Sequence, residues 1–203
     1  MRKKLDLVIA GVGGQGNILL SRMVGQAAAR AGMEVRISEA FGSAQRGGAV
    51  FSNVRLGKSY SSVIPLGKAD ALLALEPGEA LRQSRFLARN GLALISSKPL
   101  MPVEVLAGKA AYPSVEKIGH LMKELASKVF MIDASALAEQ AGDARTANTV
   151  MLGALDGCHI LPFRSDLLRE TMISAIPSKM VEANLKAFDL GRVSMLNSSM
   201  SPH

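Results

Sequence analysis

One segment limits what this chain can become more than any other: Gly11-Val-Gly13-Gly14-Gln15-Gly16, set between an apolar run and an amphipathic one. Leu5–Ala10 is apolar except for Asp6 and reads as a buried strand ending at Gly11. After the glycines, Leu20, Met23, Val24, Ala27 and Ala31 recur at helical spacing, and Gly32 closes the run. Met33–Ser38 then alternates as a second strand. Strand, helix and strand within about 35 residues make a βαβ unit, right-handed by default. A G-x-G-x-x-G turn at that place lets backbone N–H groups approach an anion at the positive end of the helix. It equally lets helix and strand pack closely, and the motif alone does not choose between the two uses.

Beyond the second strand the order changes. Ala49–Leu56 reads as a strand with no helix before it, so Glu39-Ala-Phe-Gly-Ser43-Ala-Gln45-Arg46-Gly47-Gly48 is a loop joining two strands. Ala71–Leu75, Gly91–Ser96 and Val129–Ile132 read as further strands. Gly78–Arg89 and the Val115–Leu125 segment read as helices, followed by helical patterns at Ala144–Leu155, Ser165–Ile176 and Lys179–Leu190. The pattern predicts an α/β, Rossmann-like fold with a largely parallel sheet flanked by helices and a C-terminal helical segment. Residues 1–196 form a single domain, and 197–203 form a polar, flexible tail.

Composition removes several classes of function. Of 203 residues, 48% are hydrophobic and 20% charged, enough to build a core without a disulfide or metal staple. The single cysteine, Cys158, rules out an internal disulfide, a four-thiolate zinc site or an iron–sulfur cage within this chain, and suits a reducing, cytoplasmic setting. No apolar run approaches the roughly 18 residues a membrane helix needs, and the basic start reads as the approach to the first strand rather than a leader. Residues 1–70 hold ten Lys and Arg against four Asp and Glu, whereas 71–203 hold fourteen against thirteen. That concentration favours anionic ligands or an acidic partner face. Eight aromatics and no long basic run argue against nucleic acid.

Taken together, Gly11-Val-Gly-Gly-Gln-Gly-Asn17 and Ser43-Ala-Gln-Arg-Gly-Gly48 resemble the gamma subunit of the 2-oxoacid:ferredoxin oxidoreductases, with indolepyruvate ferredoxin oxidoreductase the nearest type. Ala44 stands where many members carry Met, and Asn184–Gly191 is similar to the family's closing helix. The resemblance implies a non-redox subunit that is inactive alone. Thiamine diphosphate, magnesium and iron–sulfur clusters would sit in partner subunits, CoA would be a co-substrate, and ferredoxin would be reached through the complex. The residues agree on what is missing: there is no G-D-G followed by Asn-Asn for thiamine, and Asp156-Gly157 stands in an apolar stretch without that partner.

No catalytic residue and no metal site are assigned to the chain. Gly11, Gly13, Gly14, Gln15, Gly16, Asn17, Ser43, Gln45, Arg46, Gly47 and Gly48 are the candidates for an anion site or interface. Arg46 offers a bidentate fork to a carboxylate or phosphate, or stitches its loop to a carbonyl. Glu39 imitates the acidic ribose ligand of an autonomous NAD- or FAD-binding oxidoreductase, the alternative reading, or pairs with Arg46 or Arg36. Asn17 is expected to cap the first helix. His120, His159 and Cys158 are read as surface or packing residues, and Met122, Met151 and Met180 as core filling. An exposed apolar face, and self-association of the isolated chain, are expected of a subunit that sits against a partner.

Overall fold

Along the first strand, alternate side chains enter two different cores. Leu5, Leu7 and Ile9 belong to one buried cluster, and Val8 and Ala10 to the other. A strand buried on both faces needs a near-continuous apolar run, as Leu5–Ala10 supplies. The computed structural model describes residues 4–42, 48–101, 103–108 and 110–198. Its strands are β1 (Leu5–Val12), β2 (Val35–Phe41), β3 (Ala49–Leu56), β4 (Ala69–Ala74), β5 (Leu87–Ser96) and β6 (Lys128–Ile132). Its helices are α1 (Asn17–Arg30), α2 (Pro77–Gln83), α3 (Val103–Leu106), α4 (Val115–Leu125), α5 (Ala134–Ala141), α6 (Ala147–Gly157), α7 (Ser165–Ala175) and α8 (Val181–Ser198).

The strands form one sheet in the order β2-β3-β1-β4-β5-β6. β1, β4, β5 and β6 are parallel, while β3 runs antiparallel between β1 and β2. The larger core contains the α1 side chains Leu20, Met23 and Val24 with those of α5 to α8; the smaller contains Ala80 of α2 and Ile118 and Met122 of α4. The helices after β1 and β4 therefore leave toward opposite faces. The mixed α/β sheet flanked by helices, with a closing C-terminal helix, is the expected class.

Local departures have packing reasons. β2 continues to Phe41 because Phe41 pairs with Val50, so Glu39–Phe41 are strand rather than loop. The expected helix Gly78–Arg89 stops at Gln83, turns once through Ser84–Phe86 and becomes β5 at Leu87. Phe86 and Leu87 are buried, and Ala69 pairs with Leu87 before the register shifts to Ala71 with Leu92. α8 extends well past Leu190, to Ser198; residues 199–203 of the expected tail lie outside the described residues. Met122 and Met151 are buried as expected, whereas Met180 is only half-buried on a short turn.

Asp6, which breaks the apolar pattern of β1, lies opposite Arg55 in the antiparallel ladder. The guanidinium holds the carboxylate through both oxygens, Nε to Oδ1 at 2.8 Å and Nη2 to Oδ2 at 3.0 Å, and both side chains are buried. Lys4 Nζ also lies 3.2 Å from Asp6 Oδ2, so it is removal of Asp6 that would leave an uncompensated buried charge on Arg55, and the pair is locked by that cost rather than by net gain.

Candidate functional site

The turn between β1 and α1 stands at the carboxyl edge of the parallel strands, where open α/β sheets bind ligands. Gly14 and Gly16 both occupy the left-handed region, at φ 97° and 88°. Gln15 fastens the turn from within. Its Oε1 accepts the Val12 N–H at 2.7 Å, and its Nε2 donates to the Leu75 carbonyl at 3.0 Å, just past β4. That bond crosses between β1 and β4, the place where the chain switches faces. The exposed part of the turn is Gly13–Gly14. Gly16 begins α1 without a side-chain cap, and the first helical turn carries no acidic residue.

Asn17 does not cap α1. It is 3% exposed, its Nδ2 donates to the Ile9 and Val50 carbonyls, and its Oδ1 accepts from Ser52 Oγ at 2.9 Å. Sitting at the first helical position, its side chain turns down onto β1 and β3 instead of out along the helix. It ties the turn to the sheet and presents nothing to a ligand.

Gly48, the last residue of the second glycine segment, meets the turn. Gly13 N–H donates to the Gly48 carbonyl at 2.9 Å, and Val12 faces Ala49 across the ladder. Gly42 N–H donates to the Ala49 carbonyl at 2.6 Å, closing the base of the loop. Ser43, Gln45, Arg46 and Gly47 lie outside the described residues. Glu39, on β2, faces Arg22 of α1 at 4.0 Å, while Arg36 Nε donates to the Ser59 carbonyl at 2.6 Å. Glu39 therefore does not pair with Arg36. It is also two strands from β1, because antiparallel β3 occupies the place a dinucleotide fold gives to its second strand. The geometry disfavours a ribose contact.

On the other side of the turn, one residue past Leu75, Glu76 is buried and was not anticipated from the sequence. Its carboxylate caps α2 by accepting the Glu79 N–H at 2.8 Å, and it also accepts the Leu100 N–H and the Tyr112 hydroxyl. The signal was present as Glu76-Pro77, an acceptor before a proline at the first helical position. Tyr112 in turn accepts the Gly78 N–H at 2.9 Å. Burial, and then Glu76, push the Tyr112 phenol above its ordinary range. Burial also raises the Glu79 carboxyl, against the opposing pull of Arg82.

The remaining polar candidates are spoken for. His120 is exposed on α4, 3.5 Å from Glu124, and His159 sits exposed at φ 53° just beyond α6. Burial pushes the Cys158 thiol up to about 12, so it packs against the core as a thiol, not a thiolate nucleophile. Asp156 accepts from Ser165 Oγ at 2.5 Å and lies 3.4 Å from Arg192 Nε, which leaves it unsuited to hold a metal beside thiamine diphosphate. Among the described residues no cluster of three His, Cys, Asp or Glu is placed to bind a metal ion, and no helix is long and apolar enough to cross a membrane.

Residues 6–193 match the pyruvate ferredoxin/flavodoxin oxidoreductase family. The indolepyruvate oxidoreductase subunit IorB of Pyrococcus horikoshii is 41% identical over 191 residues, covering 93% of this chain and 95% of that one. The gamma subunit of a keto/oxoacid ferredoxin oxidoreductase from Geobacter sulfurreducens superposes with a TM-score of 0.70 at 26% identity, over 95% of this chain and 99% of its own. A 2-oxoglutarate:ferredoxin oxidoreductase from Magnetococcus marinus contains the same fold within a longer chain: TM-score 0.72, 24% identity, all of this chain and 32% of that one.

Proposed function

This chain belongs to the pyruvate ferredoxin/flavodoxin oxidoreductase family as a small subunit of a 2-oxoacid:ferredoxin oxidoreductase, and from that premise we propose that it supports the thiamine-dependent oxidative decarboxylation of an aryl pyruvate such as indolepyruvate to its acyl-CoA. Thiamine diphosphate, magnesium and the iron–sulfur clusters belong to partner subunits in this reading, and electrons leave through them to ferredoxin. CoA is the acyl acceptor. The chain supplies no group to the bond-breaking steps. Its role is to complete the anion-facing wall of the assembled site with the Gly11–Gly16 turn and the Ser43–Gly48 loop.

The observation that supports this reading is the 2.9 Å bond from Gly13 N–H to the Gly48 carbonyl, which ties the glycine turn to the last residue of the Ser43–Gly48 segment. Arg46 lies between Gly42 and Gly48 in the chain, and its guanidinium would meet a CoA phosphate, the 2-oxoacid carboxylate or an acidic partner residue. The dinucleotide alternative is not favoured, since antiparallel β3 stands beside β1 where a dinucleotide fold has its second strand.

Reconstitution tests it. With CoA, ferredoxin and a panel of indolepyruvate, pyruvate and 2-oxoglutarate, turnover is expected only when this chain and the thiamine-binding subunit are combined, with indolepyruvate preferred. Arg46→Ala should leave the lone chain's Tm unchanged and raise the KM for CoA or 2-oxoacid roughly ten- to a hundredfold, the cost of one charge-assisted hydrogen bond. Turnover by this chain alone overturns the division of labour. A destabilised Arg46→Ala chain with normal kinetics makes the loop scaffold.

A further inference from the structure

Three connections at the carboxyl edge of the sheet meet on two consecutive residues. β1, β4 and β5 are neighbouring parallel strands, followed by the glycine turn, by Leu75–Glu76 and by residues 97–114. Leu75 N–H donates to the Ala10 carbonyl at 2.8 Å, and the Leu75 carbonyl fastens the turn by accepting Gln15 Nε2. Glu76, next in the chain and 2% exposed, takes the third connection. Its Oε1 accepts the Leu100 N–H at 3.3 Å and the Tyr112 hydroxyl, while its Oε2 accepts the Glu79 N–H at 2.8 Å. Among the described residues of 98–111 none belongs to either buried cluster, and Tyr112 packs against the smaller one. This connection is thus held near its entry and near its exit by one carboxylate.

A helix cap asks for less. Ser114 and Asp133 cap α4 and α5 from exposed positions, each accepting one N–H at the first turn. Glu76 caps α2 with one oxygen and reaches two other stretches of chain with the second. A buried carboxylate is costly unless donors meet it, and here three do. The fit around it is close. Gly78 N–H donates to the Tyr112 oxygen at 2.9 Å, and a Cβ on Gly78 would lie 3.0 Å from Glu76 Oε2 and 3.1 Å from the Tyr112 ring.

We propose that Glu76 is a positioning residue for the site at this edge: its carboxylate holds the 97–114 connection and the point where Leu75 fastens Gln15 as one unit, so that the glycine turn meets its ligand at a fixed place. This rests on the subunit reading above, and adds to it a residue from outside both glycine segments.

The test compares wild type with Glu76→Gln, Tyr112→Phe and a core control, Leu168→Ala in α7, in the full chain alone and assembled with the thiamine-binding subunit. Glutamine offers one acceptor oxygen where the carboxylate offers two. In the lone Glu76→Gln chain, hydrogen exchange followed by mass spectrometry should quicken about tenfold or more at residues 100–112 and at 12–16, as well as in α2. In the assembled enzyme Glu76→Gln should raise the KM for CoA or 2-oxoacid about tenfold with kcat unchanged, and Tyr112→Phe should raise it less. Leu168→Ala should lower Tm and leave KM alone. Faster exchange confined to Gly78–Gln83 makes Glu76 a cap and overturns the assignment. So does a wild-type KM in both variants, or an equal rise in KM in Leu168→Ala. If Glu76→Gln does not fold, Tyr112→Phe removes one bond, keeps the carboxylate and carries both readouts. If the wild-type assembly shows no turnover, the subunit reading fails, while exchange in the lone chain still decides whether Glu76 holds the two connections together.

Discussion

Glycines gather at two places in this molecule, the turn between β1 and α1 and the crossing of α6 over α8, and they are there for opposite reasons. At the turn the chain needs conformations other residues avoid, and at Gly14 the surroundings are open: a Cβ there would meet nothing within 4 Å. At the crossing the backbones are ordinary helix and the problem is space. A Cβ on Gly153 would lie 1.9 Å from the Phe188 carbonyl oxygen, and one on Gly191 1.9 Å from that of Val150. Small residues there let two main chains touch, so the closing helix seals the larger core. One region keeps open room around Gly14. The other is rigid because glycine leaves none.

The largest expected effect comes from filling the crossing. Gly153→Ala places a methyl against backbone that cannot rotate away, so α8 must lift from α6 along its length. Overpacking commonly costs 1–3 kcal/mol, and a clash with main chain belongs at or above the upper end. A loss of about 3 kcal/mol or more, roughly 6–12 °C in Tm for a chain this size, is expected by thermal unfolding. A neutral substitution would mean that the two helices are not in main-chain contact.

Next is the polar stitch beneath the turn. Asn17→Ala removes two donated bonds and leaves Ser52 Oγ without its acceptor in a buried place, at a cost of about 2–3 kcal/mol. Asn17→Asp separates this from the capping role expected of the sequence. An asparagine serving the start of a helix tolerates aspartate, which the helix dipole favours. A buried donor does not. Asp should therefore cost at least as much as Ala, and a tolerated Asp would restore the cap.

These two sites also mark what could be read from residues alone. The turn was legible because its glycines keep fixed spacing between an apolar strand and an amphipathic helix, and those local patterns are short-range. β3's reversal was half legible: the missing helix between Ser38 and Ala49 set this connection apart from a nucleotide-binding fold, but the direction and neighbours of β3 came only from its pairing with β1 and β2. The α6–α8 crossing was not legible, since Gly153 and Gly191 are 38 positions apart and look like helix defects until the helices pack. Asn17 misled because a polar residue at a helix start can bond to its own helix or to the sheet beneath, and only tertiary placement decides. Glu76 does cap its helix; what escaped was its burial, because Leu100 and Tyr112 lie 24 and 36 positions away in the chain.

Gly16 belongs to both categories and should show an intermediate loss. It sits at φ 88°, and a Cβ would come within 2.3 Å of Asn148 Nδ2, at the head of α6. That neighbour is the end of a side chain and can swing aside. Gly16→Ala should cost about 1–2 kcal/mol, mostly backbone strain. Pairing it with Asn148→Ala should recover only the steric part, measured as a coupling of about 0.5 kcal/mol or more in a double-mutant cycle. Full recovery would make crowding, rather than conformation, the reason for the glycine.

The smallest effect on stability, Gly14→Ala, says most about the turn. Gly14 is exposed, at φ 97°, with open space where a side chain would stand. Only the left-handed backbone should resist the change, by about 1 kcal/mol. Asparagine visits that region more readily, so Gly14→Asn should lose less than Gly14→Ala despite being larger. That order, Ala worse than Asn, is the signature of a purely conformational glycine; the reverse order would mean that something occupies the space. The same two variants then probe the assembled enzyme. A Cβ standing open in the free chain becomes an obstruction once a ligand or partner closes over the turn. Both variants should therefore raise the KM for CoA or 2-oxoacid by more than their stability losses suggest, and the larger Asn should be worse. If kinetics in the complex follow the stability order instead, Gly14 shapes the turn without facing what binds there, and the anion-facing wall must be sought on the Ser43–Gly48 side alone.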